Sequence, residues 1–447
     1  MNIHFVGCLG ASMKRLSEIC VALRYNVSGS DMEIREGHNK ENVLGKDLVV
    51  YTNAVGENNI EVLEAKKYGI KTIERAVFLG EISSLYKKVI AVSGTHGKTT
   101  TTSMLAEILR GQNACMHIGG AYPSLSIPPT DTDYFITEAC EYKRSFLTLK
   151  PHLSIILNIE LDHTDYFIDF DDYFNAYKQL ASQSENVLVY GDDDILYNWA
   201  YKLGYKTFGL KTRNTYFATD ITTTKIGSEF LMNFNDFKNN KKAKTVASDC
   251  ADLSPFKIQI KEFGSHSVLN ALASASSSHM LKIETSSIIK GLNGFTGVSR
   301  RQEFLTTNNG YDIFTDYAHH PSEIEVLINS IKRRGYKKIM LVFEPHTYTR
   351  TASLKKEFAI SLSKADELFI MPVFAAREKE LPIGKSETII AELAFLGKTA
   401  YLMDNYNELF NYLNNNLFIS FPTLPTALIF VGAGNIDNYA RKFSKIY

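Results

Sequence analysis

Residues 88–111 read KVIAVSGTHGKTTTTSMLAEILRG. A short apolar run, Val89 to Val92, has the length of a buried strand. A glycine-punctuated turn follows, and then apolar residues at helical spacing. Strand, tight loop and helix in that order define an α/β protein layered around a mostly parallel sheet. Gly94 and Gly97 let the backbone N–H groups of Thr95 and His96 turn inward around phosphate oxygens, and the helix that follows adds the positive end of its dipole. Lys98 is placed to neutralise β/γ-phosphate charge, Thr99 to offer a hydroxyl to Mg²⁺, and Thr100 continues the loop into the helix. ATP and Mg²⁺ are the expected cofactors. Val92 makes this the short form G-x-x-G-K-T rather than the longer phosphate loop.

The same alternation of strands and helices extends in both directions. Upstream, NIHFVG reads as a strand, SMKRLSEICVALR as a helix, NVSGSD and DLVVYT as strands, NIEVLEAKKYG as a helix and EISSLYKK as a further helix. Downstream, DYFITEA and LSIILNI are buried strands. Residues 210–265 shift to Thr, Asn and Lys with short alternating segments, read as a β-rich insertion or surface subsheet. NFNDFKNNKKAK reads as a loop and HSVLNALASASSSHM as a small-residue helix. A last unit holds strands at YDIFTDYA, KIMLVFEP, ELFIMPV and TALIFVGAG. Three domains are expected, 1–87, 88–297 and 298–447, the first and last Rossmann-like and the middle one carrying the phosphate loop.

Composition narrows the function. Of 447 residues, 49 are basic and 49 acidic, a balance that excludes bulk-charge binding of nucleic acid or anionic lipid. No run approaches the roughly 18 apolar residues of a membrane span. The opening MNIHFVG lacks a charged segment followed by an apolar one, so no signal peptide is expected. Five scattered cysteines without CxxC spacing fit reduced thiols and a cytoplasmic protein.

Candidate site residues sit at strand ends, the rim where α/β sheets place their ligands. Glu138 sits at the C-terminal end of DYFITEA and His163 follows LSIILNI, although on spacing alone a lone Glu or His at a strand end fits a surface or structural role better. Gly7 and Gly10 form a βα turn suited to a pyrophosphate.

GTHGKTTT, HFVGCLGASM, ITEACEYKRSFL, LNIELDHTDYF, FTGVSRR, TDYAHHPSEI, EPHTYTRT and FVGAGNID together resemble the Mur ligases, amide-forming enzymes of peptidoglycan precursor synthesis. The resemblance is strongest to the branch that adds the first amino acid. It implies ATP-driven joining of L-alanine to UDP-N-acetylmuramate through an acyl phosphate. By resemblance, Thr99, Glu138 and His163 hold Mg²⁺, Asn270 lies near the adenine, and Arg301 and Asp316 contact the nucleotide or the closed form. His319 lies near the incoming amine, and Arg350 offers a planar fork to a carboxylate or phosphate. Catalysis then rests on positioning and charge from Lys98, Glu138, His163, His319 and Arg350. Gly7, Gly10, Ser30, Asp31 and His38 match the sugar-nucleotide segments. His320 fits a structural hydrogen bond at least as well as a role in the reaction. A closing motion is expected, as in enzymes whose ligands are met by several domains.

The pattern also departs from the family. Leu9 stands where a third glycine is usual. Only MEIRE separates Asp31 from Gly37, so the first domain is expected to be trimmed and its nucleotide-sugar pocket altered. Ser267 replaces an asparagine and Gln302 an aromatic residue. The alternatives left open are the related ligase that attaches a ready-made peptide to the same sugar nucleotide, and a non-catalytic nucleotide-binding relative.

Overall fold

In the computed structural model, Lys88–Ser93 is a strand with every residue after Lys88 buried, as a parallel strand covered on both faces requires. The structure describes residues 1–32, 37–119, 132–164, 166–224, 227–235, 254–376, 378–416 and 421–446. They fall into two packed units, Met1–Lys261 with Ser267–Thr296, and Glu262–His266 with Gly297–Tyr447.

The first unit holds two sheets. In the nine-stranded one, Lys88–Ser93 lies between Tyr134–Glu138 and Leu153–Ile156, parallel to both. From Lys88–Ser93 the chain runs to the edge strand Cys115–His117, returns through Tyr134–Glu138, and crosses to Leu153–Ile156 on the other side. The C-terminal end of Lys88–Ser93 is therefore a switch point, where an open α/β sheet leaves a crevice. Beyond Leu153–Ile156 the sheet continues through Asn186–Tyr190 and Lys206–Gly209.

The segment expected as a β-rich insertion or surface subsheet is β-rich and extends this sheet. Tyr216–Thr223 runs parallel to Lys206–Gly209, and Ser228–Phe234 and Phe256–Ile260 add as antiparallel neighbours. Alternation explains the extension: Phe230, Met232, Ile258 and Ile260 are buried while their neighbours face outward. Such a meander has one apolar face and covers it best by continuing an existing sheet. Of the loop expected at NFNDFKNNKKAK, Asn233 and Phe234 end a strand, and residues 236–244 lie outside the described ones.

The smaller sheet is fully parallel, in the order Asn26–Ser30, Asn2–Val6, Leu48–Tyr51, Lys71–Glu74. Its crossover from Asn26–Ser30 to Leu48–Tyr51 carries, among the described residues, only the 3-10 turn Lys40–Val43. The helix expected at EISSLYKK is displaced towards the N-terminus, to Arg75–Ser83, because the Glu74 carboxylate caps it by accepting the Ala76 N–H at 2.8 Å. The two sheets share one core: Phe5, Leu16, Phe78 and Ile82 pack in the same cluster as Val89, Phe135, Phe146 and Tyr177. Gly80 allows this closeness, since a Cβ there would lie 2.5 Å from the Thr148 carbonyl oxygen.

The second unit is a six-stranded sheet in the order Glu303–Asn308, Tyr311–Asp316, Thr426–Val431, Lys338–Phe343, Glu367–Ile370, Tyr401–Leu402. All pairs are parallel except the first. Apolar clusters cover the sheet, one around Ile324, Phe343 and Phe358, the other around Met340, Phe369 and Phe443. Among the described residues no helix is long and apolar enough to cross a membrane.

Candidate active site

The expected phosphate loop sits at the switch point. Its last turn is left-handed at Gly97, with φ +83°, and a Cβ there would lie 2.6 Å from Asn270 Oδ1. Both facts demand glycine, and they place Asn270 of the helix Ser265–Met280 against the loop. The NIE segment after Leu153–Ile156 pins the rest of the turn. Thr95 Oγ1 donates to the Glu160 carbonyl at 2.8 Å and accepts the Glu160 N–H at 2.9 Å. The His96 N–H donates to Asn158 Oδ1 at 2.8 Å, and Asn158 Nδ2 donates back to the His96 carbonyl at 3.1 Å.

Lys98 opens the helix Lys98–Ile108 and folds back over the loop. Its ammonium donates to the carbonyls of Gly94 (2.5 Å) and Thr95 (3.2 Å) and to both oxygens of Glu141 (3.1 and 3.0 Å). Burial opposes the charge on Lys98, but the Glu141 carboxylate outweighs it and raises the ammonium pKa. Burial likewise opposes ionisation of Glu141, and Lys98 with His163 reverses that and lowers its pKa.

Glu141 is the residue beside Lys98 that sequence reasoning missed. Its signal was the spacing in TEACEY, a second carboxylate three residues after Glu138. The chain brings it inward at the start of a 3-10 turn, Tyr142–Thr148, in which Lys143 and Arg144 are left-handed.

Thr99 and Glu138 lie together: Thr99 Oγ1 donates to Glu138 Oε2 at 3.0 Å, and the Gly119 N–H holds Glu138 Oε1 at 2.9 Å. His163 is placed differently. Its Nε2 lies 3.5 Å from Glu141 Oε1, its ring is 4.7 Å from the Tyr142 ring, and its φ is +54°. A strained non-glycine backbone of this kind is a feature of functional sites. The oxygens of Thr99 and Glu138 beside a lysine-lined loop suit a hard divalent cation on a phosphate.

At the rim of the smaller sheet, Gly7 and Gly10 form the expected turn. Gly7 has φ +84°, and its N–H donates to the Ser30 carbonyl at 2.8 Å. Asp31 accepts the Leu9 N–H at 3.0 Å, leaving the Leu9 side chain half exposed at the tip of the turn. Ser30 and His38 meet at the buried Glu61, which accepts from Ser30 Oγ at 2.5 Å and from Asn42 Nδ2 at 2.6 Å, and lies 2.9 Å from His38 Nδ1. Burial pushes Glu61 up, but His4 at 3.6 Å and hydrogen bonds from Ser30, Asn42 and the Asn39 N–H hold it at about 2.

In the second unit, Asp316 is buried and accepts the N–H groups of Gln302 and Ala318, each at 2.7 Å. Burial raises its pKa against the pull of Arg301. Arg301 lies over the Tyr317 ring, 3.7 Å from Glu323. His319 lies against the Tyr317 carbonyl at 3.0 Å, and its ring centroid is 6.0 Å from that of His346. Arg350 donates to the His346 carbonyl at 3.1 Å. His320 caps the helix Pro321–Arg333 within a capping box, the structural role that was one of its two readings. Gln302, the departure from the family pattern, accepts from Ser330 Oγ at 2.7 Å and Arg334 at 2.8 Å. At the FVGAG turn the buried Glu344 carboxylate accepts from Tyr406 Oη at 2.5 Å and from the Ile436 N–H at 3.3 Å.

A phosphate loop at a switch point, with a lysine, a threonine and paired carboxylates around it, defines a nucleotide site of the phosphoryl-transfer class. Three family profiles match in sequence order: "Mur ligase family, catalytic domain" over residues 2–87, "Mur ligase middle domain" over 92–277, and "Mur ligase, glutamate ligase domain" over 300–417. The chain belongs to the Mur ligase family. The UDP-N-acetylmuramate–L-alanine ligase of Acetivibrio thermocellus is 36% identical over 99% of this chain and 96% of its own length. That of Clostridium kluyveri is 37% identical over 97% and 96%. Among solved structures, the UDP-N-acetylmuramate–alanine ligase of Thermotoga maritima superposes with a TM-score of 0.80 at 26% identity, covering 100% of this chain and 99% of that one. A murein peptide ligase from Psychrobacter arcticus shares the fold, with a TM-score of 0.69 at 22% identity and coverage of 100% and 98%.

Proposed function

We propose that this chain joins L-alanine to UDP-N-acetylmuramate at the expense of ATP, in peptidoglycan precursor synthesis. The observation that carries the reading is Lys98 folded over the phosphate loop beside Glu141, with Thr99 and Glu138 joined at 3.0 Å, in a chain whose full-length relatives bear that ligase name.

In this reading residues 1–87 take the sugar nucleotide, 88–297 take ATP and 298–447 complete the ligation. Thr99 and Glu138 would hold Mg²⁺, with His163 beside Glu141 as the third candidate ligand; bound Mg²⁺ neutralises charge on the γ-phosphate. Lys98 exchanges its carbonyl contacts for phosphate oxygens, and Glu141 keeps the ammonium charged while it does so. The sugar-nucleotide carboxylate attacks the γ-phosphorus, forming an acyl phosphate and releasing ADP. The alanine amine then attacks the acyl carbon, inorganic phosphate leaves, and the amine gives up a proton. Asn270, Arg301 and Asp316 are assigned to the nucleotide, His319 to the amine and Arg350 to an anionic group.

The test is phosphate release with Mg–ATP and UDP-N-acetylmuramate, comparing L-alanine, glycine, L-serine and no amino acid. Release that requires both L-alanine and the sugar nucleotide is expected. No release with any amino acid, while ATP still binds, overturns the assignment.

A further inference from the structure

A chain of hydrogen bonds runs from the glycine turn of the smaller sheet to the strand that carries Glu138. Arg75 Nη1 donates to Ser12 Oγ at 3.2 Å, and Ser12 Oγ lies 2.9 Å from His117 Nε2. His117 Nδ1 lies 3.0 Å from Thr137 Oγ1, which donates to the Glu138 carbonyl at 2.9 Å. The Glu138 end fixes its direction: the Thr137 hydroxyl gives its one proton to a carbonyl, which only accepts, so it takes the His117 Nδ1–H, and on a neutral ring that leaves Nε2 to accept from Ser12. Ser12 therefore gives its proton to His117 Nε2, and the ring proton sits on Nδ1, facing Thr137. The imidazole is neutral, consistent with its burial and the nearby Arg75, which hold its pKa down at about 3.

The two ends of this chain belong to different parts of the proposed reaction. Ser12 lies in the first turn of the helix Ala11–Ala22, which opens from Gly10, the turn assigned to the sugar nucleotide. His117 ends the strand Cys115–His117, and two residues later the Gly119 N–H grips Glu138 Oε1 at 2.9 Å. The segment from His117 to Gly119 thus reaches Glu138 by two routes, indirectly through Thr137 Oγ1 at its carbonyl and directly through the Gly119 N–H at its carboxylate. Arg15 reinforces the same junction by donating to the Met116 carbonyl at 2.8 Å.

We infer that Ser12 and His117 are positioning residues that register the sugar-nucleotide turn against the metal-holding carboxylate, so that occupancy of one site tightens the other. This rests on the ligase reading above. A carboxylate held within hydrogen-bond tolerance by its supporting groups binds better than one left to find its place, as supporting groups around metal ligands generally show.

The experiment is calorimetric titration of the full chain with UDP-N-acetylmuramate, alone and with saturating Mg–ADP, read as the ratio of the two dissociation constants. In the unaltered protein the sugar nucleotide is expected to bind more tightly when Mg–ADP is present. Ser12→Ala, His117→Gln and His117→Asn should each draw that ratio towards one, by about three- to tenfold for the loss of one linking hydrogen bond. Glutamine can keep the Ser12 end and asparagine the Thr137 end, but neither spans both. Ser12→Ala removes only a hydroxyl, so it serves if the histidine variants fail to fold. An unchanged ratio in a folded Ser12→Ala variant overturns the bridge, and so does full recovery with glutamine or asparagine. A ratio of one in the unaltered protein overturns it as well. Failure of the unaltered chain to bind the sugar nucleotide overturns the ligase reading and the bridge together, whereas binding with an unaltered ratio in every variant overturns the bridge alone.

Discussion

Lys98 illustrates what a single side chain must reconcile. Its ammonium is largely enclosed and is made tolerable by the Glu141 carboxylate and two carbonyls. Lys98→Ala should lower ATP-dependent phosphate release by about 10²–10³-fold or more, the scale on which removing one preorganised charge-stabilising group acts. The fold should survive, as checked by circular dichroism, because Glu141 retains His163 as a partner. Normal release from the variant would remove Lys98 from the mechanism. Lys98 and Thr99 were legible in the sequence because the loop itself dictates their place. Glu141 and the Glu141–His163 contact were not, because they depend on the left-handed turn at Lys143 and Arg144, which neither residue type announces. Ser12 and His117 were hidden for another reason: 105 positions separate them, and only the pairing of the sheets brings them together.

Among the elements, the smaller sheet is organised around Glu61, on the helix Ile60–Lys67. Its carboxylate receives Ser30 from one strand and Asn42 from the 3-10 turn, with His38 alongside. Its pKa is about 2 in the folded chain and about 4.3 when unfolded. The folded state therefore binds the proton less readily, so the stabilisation is fully present above about pH 4.3 and is lost as the pH falls towards 2. It amounts to about 3 kcal/mol, taken from a shift of roughly two units. Chemical denaturation at pH 6 and pH 3 should show this loss, and Glu61→Gln should flatten the slope while lowering stability at pH 6. Equal pH slopes in the two proteins would sink the idea. Elements of this kind separate what sequence shows from what it conceals. Parallel strands such as Lys88–Ser93 and Leu153–Ile156 were legible as apolar runs. Lys71–Glu74 and Lys206–Gly209, with one to three buried residues each, were not, and the start of the helix at Arg75 was concealed because its cap is a glutamate, a residue that seldom signals a helix start.

At the scale of the whole molecule, two packed units with their own apolar clusters predict two calorimetric unfolding transitions rather than one. The phosphate loop and Glu61 both lie in the first unit, so Mg–ATP should raise the same transition that Glu61→Gln lowers. At a nucleotide concentration about a hundred times Kd the gain is about 2.7 kcal/mol. A single transition moved by both perturbations would mean that the chain unfolds as one body. The second unit also has a strand, a glycine turn and a helix, at Thr426–Val431, 432–434 and Ile436–Ile446, the same arrangement as the strand, glycine loop and helix around Lys98 in the first. There the Glu344 carboxylate is already lodged against the first N–H groups of the helix, and a Cβ on Gly434 would collide with it and with the Phe374 ring. That berth carries its own permanent passenger, and a visiting anion would have to evict a charge that is part of the chain. Two glycine turns of like design therefore differ in what they admit, and the second is closed from within by Glu344.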